Sequence, residues 1–153
     1  MHKTIRRLIG LYQLLTGGYG CLFLVYSILL AGGGSLGALL ILGLCILTAA
    51  AGMRLWNGRP GGQELSLVAQ AAQSVSLSAG WLRYLFNAGL ALWLNFGGGV
   101  HFDHDFGTRF RFGLASGYGS SPQPYPAAIG INLLPLAIVL YLVLTARSSR
   151  KSA

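Results

Sequence analysis

Long apolar runs alternate with short polar ones along most of this chain. Residues 8–30 carry no charge and exceed the roughly 20 apolar residues that a helix needs to cross a hydrocarbon core. The glycine-rich stretch 31–35 interrupts the run, and residues 36–53 resume it up to Arg54. A third uncharged run, residues 126–146, ends at Arg147. Residues 64–82 are long enough to cross but include Gln70, Gln73 and several serines. At helical spacing Ser66, Gln70 and Gln73 form one stripe, which neighbouring helices would satisfy by hydrogen bonding. The pattern therefore predicts a mainly α membrane protein of one domain, with four transmembrane helices at about 8–30, 36–53, 64–82 and 126–146.

From Tyr84 onward the period changes from helical to two. Tyr84, Phe86, Ala88, Leu90, Leu92, Leu94 and Phe96 share one parity, as do Val100, Phe102, His104, Phe106, Thr108, Phe110 and Phe112 beyond Gly97-Gly98-Gly99. Such alternation marks strands, and a three-residue glycine turn predicts a hairpin over 83–114, followed by a loop at 115–125. Its register sets Phe96 opposite Val100, Leu94 opposite Phe102, Leu90 opposite Phe106 and Phe86 opposite Phe110, with Asn87 opposite Arg109. The competing reading makes 81–96 the third membrane helix, since short apolar runs are ambiguous by period.

Composition sharpens the membrane reading. Hydrophobic residues make up 54% of the 153 and charged ones 9%, against about 25% charged in a soluble domain. Lys and Arg number 11 and Asp and Glu 3, a formal charge of +8. These charges lie between apolar runs rather than along a face, which argues against a nucleic-acid partner. With the N-terminus inside, Lys3, Arg6, Arg7, Arg54, Arg59, Arg147, Arg150 and Lys151 all fall on the cytoplasmic side, leaving Arg83, Arg109 and Arg111 outside. The expectation is an integral protein of a bacterial inner (plasma) membrane with both termini cytoplasmic and the hairpin extracytoplasmic. A cleaved signal peptide is the alternative for the N-terminus, but the first apolar run exceeds the usual 7 to 15 residues, and Leu29-Leu30-Ala31 lacks the first small residue of a cleavage site.

Candidate chemistry is sparse. His101, Asp103 and Asp105 would share one face of a strand, and imidazole with carboxylates suits a divalent metal. The competing reading is a solvated face whose acids offset Arg109 and Arg111. Gly17 and Cys21 are placed at the depth of Cys45 and Ala49, small residues that let helices approach closely. Pro135 is expected to kink the last span, with Asn132 satisfying the freed backbone. No nucleophile with a base, no phosphate loop and no paired catalytic carboxylates stand out, so no enzymatic activity and no cofactor is expected. The leading expectation is a protein acting through contacts, as subunit, assembly factor or homo-oligomeric scaffold of a membrane complex. Its interface would be Phe86, Leu90, Phe102, Phe106, Phe110 and Phe112. A small transporter or channel with a polar path at Gln70, Gln73 and Asn132 is the alternative, and an extracytoplasmic metal-binding protein the third.

Overall fold

The computed structural model describes residues 2–30, 36–80, 82–97, 99–114 and 125–151. The chain runs α1 (Lys3–Leu30), α2 (Leu36–Asn57), α3 (Gly62–Ser74), β1 (Val75–Gly80), β2 (Leu82–Phe96), β3 (Val100–Leu114), β4 (Tyr125–Asn132) and α4 (Leu133–Lys151). Four transmembrane helices are not what forms. Among the described residues, only α1 and α2 are helices long and apolar enough to cross a membrane.

The two remaining spans fail for definable reasons. Residues 64–82 divide at Ser74, where the Ser74 hydroxyl donates to the Gln70 carbonyl and Val75 leaves the helical region at φ −127°, ψ 136°. Beyond it Val75-Ser76-Leu77-Ser78 alternates, with a β-branched residue and serines that compete for backbone bonds, and it pairs as a strand. Residues 126–146 divide at Asn132 in the same way. The apolar part of α4, Leu133–Ala146, is 14 residues, about 21 Å at 1.5 Å per residue, against a hydrocarbon core of about 30 Å. Pro135 sits in the first turn of α4, where its missing N–H was never bonded, so it starts a helix rather than kinking one.

α1 and α2 form an antiparallel pair whose buried and exposed faces are reversed relative to a water-soluble helix. α1 buries Ile9, Gly10, Gln13, Gly17 and Gly20, and leaves Leu8, Leu15, Leu22 and Leu29 outward. α2 buries Cys45, Thr48, Ala51 and Gly52 and exposes Leu36, Leu39, Leu40 and Ile46. Only 22% and 28% of their most apolar stretches are covered, so neither is a core helix. Close backbone approach holds the pair together. A Cβ on Gly17 would stand 2.5 Å from the Ala49 nitrogen and 2.8 Å from the Cys45 carbonyl oxygen, so only glycine fits there.

The four strands are antiparallel in the order β1-β4-β2-β3, with a further short pairing of β1 to β2. The β2–β3 register follows the alternation through its whole length: Phe96 faces Val100, Leu94 Phe102, Leu90 Phe106, Asn87 Arg109 and Phe86 Phe110. On its other side β2 is divided. Its start pairs with β1 (Leu77 with Tyr84) and its end with β4 (Leu94 with Ile131), leaving an interval without a strand partner. Gly89 lies in that interval with φ +105°, a conformation L side chains rarely adopt, and a Cβ there would meet Thr16 and Tyr12 of α1.

The hairpin lies along the flank of α1 and α2. Phe86 and Ala88 are buried with Ile41 and Cys45, against Cys21, Leu24 and Leu44, and the Tyr12 hydroxyl donates to the Leu90 carbonyl at 3.3 Å.

Candidate functional site

Two features stand out, a buried polar junction and an uncovered apolar hairpin end. The junction forms where α3 passes into β1 and β4 into α4, beside the interval of β2 that neither β1 nor β4 pairs. There a side chain on each helix end supplies what a strand would have supplied. The Ala88 N–H donates to Gln73 Oε1 at 3.1 Å, and the Leu92 N–H donates to Asn132 Oδ1 at 3.0 Å. Asn132 Nδ2 then donates to Asn87 Oδ1 at 3.3 Å, and Asn87 Nδ2 to the Gly89 carbonyl at 3.1 Å. Gln73 Nε2 reaches Thr48 Oγ1 on α2 at 3.4 Å. Gln73, Asn87, Thr48 and Asn132 are all buried. A buried backbone N–H without an acceptor costs about 1–3 kcal/mol, so these two amides hold the middle of β2 in place. Nearby, the hydroxyl of the half-buried Tyr84 donates to the Ala72 carbonyl at 2.7 Å, and desolvation pushes its phenol above the usual tyrosine range.

The Ser66-Gln70-Gln73 stripe thus divides into different roles. Ser66 Oγ donates to Gln13 Oε1 on α1 at 2.8 Å. Gln73 belongs to the strand junction. Gln70, 1% exposed, has neither amide atom hydrogen-bonded, and Gln13 Nε2 is likewise without a partner. Asn132 bonds β2 rather than the backbone freed by Pro135. Gln13, Thr48 and Asn87 were not singled out as candidates. Gln13 carries a readable signal, the strongest polar group in the first apolar run, while Thr48 and Asn87 carry none apart from their neighbours in space.

Among the other candidates, Gly17 lies against Cys45 and Ala49, and Cys21 packs on the cluster that contains Cys45. Both cysteines are unbridged. Phe86 is fully buried in that cluster, so it belongs to the core and not to an interface. Leu90 is partly exposed, and at the hairpin end Phe96, Val100 and Phe102 stand outward, Phe102 at 62%. The Gly97 N–H donates to the Gly99 carbonyl at 3.1 Å beneath them. The side chains of Phe106, Phe110, Phe112 and Asp105 lie outside the described residues. His101 and Asp103 are exposed, and Asp103 Oδ1 accepts from the His104 N–H at 2.8 Å. Among the described residues no three His, Cys, Asp or Glu side chains gather as a metal site would require.

The helix ends nearest the N-terminus collect positive charge. The Arg7 guanidinium lies 5.9 Å from the Trp56 ring, and a cavity of about 390 Å³ is lined by Arg6, Arg59, Gln63 and Glu64. Gln63 Nε2 donates to the Leu142 carbonyl at 2.7 Å, which brings the middle of α4 to this same end. No family model matches the chain, and no curated protein or solved structure matches it either.

Proposed function

We propose that the protein is a membrane-anchored contact module, a subunit, assembly factor or homo-oligomeric scaffold of a membrane complex, that works by binding rather than by chemistry. The reading rests on the hairpin end, where Phe96, Val100 and Phe102 stand in the open beside a long strand. Exposed apolar groups gathered in this way mark interaction sites. α1 and α2 are the anchor: Leu8, Leu15, Leu22 and Leu29 face outward and Gly10, Gly17, Gly52 and Gln13 inward, the arrangement lipid favours. Arg6, Arg7, Arg54 and Arg59 lie at one end, where α4 arrives at Leu142 with its C-terminal half still to follow. By the charge rule for short loops that end is cytoplasmic, so both termini are on the cytoplasmic side of a bacterial inner membrane.

Replacing Phe102 and Phe110 by Ser tests the reading. Retention of the binding partner in mild detergent should fall about tenfold or more, since large aromatic groups dominate such interfaces, while the amount of protein in the membrane fraction stays level. Unchanged association of the variant would overturn it.

A further inference from the structure

The turn between α2 and α3 is built around two guanidinium groups. Its backbone is closed by bonds from the Gly58 N–H to the Leu55 carbonyl at 3.2 Å, from Arg59 to Arg54 at 2.9 Å and from Gly62 to Arg59 at 3.3 Å. Gly58 and Gly61 take φ of +66° and +76°, and each leaves the room of a missing Cβ to an arginine. A Cβ on Gly58 would stand 2.7 Å from Arg6 Nη2, and one on Gly61 3.3 Å from Arg54 Nη1. The cavity of about 390 Å³ opens on this turn, lined by Arg6, Arg59, Gln63 and Glu64. Sites for small ligands usually fall between about 300 and 1,000 Å³.

What the cavity lacks is an acceptor for its donors. Arg6 Nε is shut off from water and has no hydrogen-bond partner among the described residues. A guanidinium is a planar fork of donors whose spacing matches phosphate oxygens. α3 starts beside it with no side chain capping it, which adds the positive end of a helix. Glu64 shares the lining, and its carboxylate would repel a bare anion but accept a hydrogen bond from a hydroxyl. The lining therefore suits a phosphate joined to a group that donates.

Depth supplies a source. Arg6 lies two residues before Leu8, where the uncharged run of α1 begins, and the run of α2 ends at Met53. Trp56, under the Arg7 guanidinium, stands at the same level, as an aromatic ring at a membrane surface does.

We propose that the cavity at the α2–α3 turn binds a phosphate ester of a hydroxyl-bearing alcohol, with Arg6 and Arg59 on the phosphate oxygens and Glu64 accepting from the hydroxyl. A glycerol-bearing lipid headgroup and a soluble glycerol phosphodiester share that chemistry. Only the lipid source rests on the anchor reading above, and the site itself goes beyond the contact reading.

The test is titration calorimetry on the full chain in mild detergent. The probes are short-chain phosphatidylglycerol, its deacylated headgroup glycerophosphoglycerol and inorganic phosphate, with short-chain phosphatidylcholine correcting for uptake by the micelle. Arg6→Gln and Arg59→Gln should each weaken binding of both esters about tenfold, whereas Arg7→Gln, which removes the same charge outside the cavity, should change it less than twofold. Glu64→Gln should narrow the preference for glycerophosphoglycerol over inorganic phosphate. Tenfold tighter binding of the lipid than of its headgroup assigns the lipid source, and equal affinities assign the soluble one. Where Arg6→Gln fails to fold, the exposed Arg59→Gln decides. Absence of binding by both esters, or equal losses in the cavity variants and Arg7→Gln, overturns the site, and an unchanged preference in Glu64→Gln overturns the role of the hydroxyl. Failure of the contact reading, through serine variants that alter no association, leaves these affinities as they are.

Discussion

Gln70 and Gln73 are three residues apart on one buried face of α3, yet their amides have opposite standing. Gln73 accepts from the Ala88 N–H, and Leu in its place strands that donor inside the protein. Gln73→Leu should lower stability by about 1–3 kcal/mol. Gln70 has no bonded amide atom, so Gln70→Leu removes two unsatisfied polar atoms and should leave stability unchanged or raise it by about 1 kcal/mol. Thermal melts of both variants in the same detergent check the pair, and equal destabilisation would contradict this division of roles. The stripe itself was legible at helical spacing. What each amide bonds was not, because the acceptors and donors are backbone groups of a strand 15 or more residues away, and side-chain periodicity says nothing of them.

At the scale of elements, the α1–α2 contact depends on Gly17. Gly17→Val brings three carbons into the space filled by the backbone of Cys45 and Ala49, so the helices must part. A loss of about 1–3 kcal/mol is expected, read from the same melts, whereas Gly18→Val meets open space at its Cβ and serves as control. The two long helices and the β2–β3 register were readable from sequence because each pattern persists, over 23 and 18 residues for the two apolar runs and 15 for each strand. α3, β1, β4 and α4 were not, since an apolar run of about 20 residues reads alike whether it is one membrane helix or a strand joined to a helix. The short strands Val75–Gly80 and Tyr125–Asn132 offer too few alternations to declare themselves, and their pairing with each other is a long-range event.

For the whole molecule, the outward leucines of α1 and α2 are what an anchor would present to lipid. If these helices anchor the chain, washing membranes at alkaline pH should leave it in the pellet, and its appearance in the supernatant would remove the anchor from the account. The sheet, lying against the helix flank and not beyond their ends, then shares part of its depth with them. That arrangement gives the polar junction its importance, because the interval of β2 that neither β1 nor β4 pairs is the part pressed closest to α1. The two long apolar helices were legible in composition and pattern, but not a sheet lying alongside them.

α3 enters β1, and β4 enters α4, with no residue between. Both composite rods are fastened to the same ribbon at opposite ends of its free interval. The ribbon therefore works as a tie bar: a pull on its aromatic tip is conveyed to two rods at once, and neither has a joint where it could swivel alone.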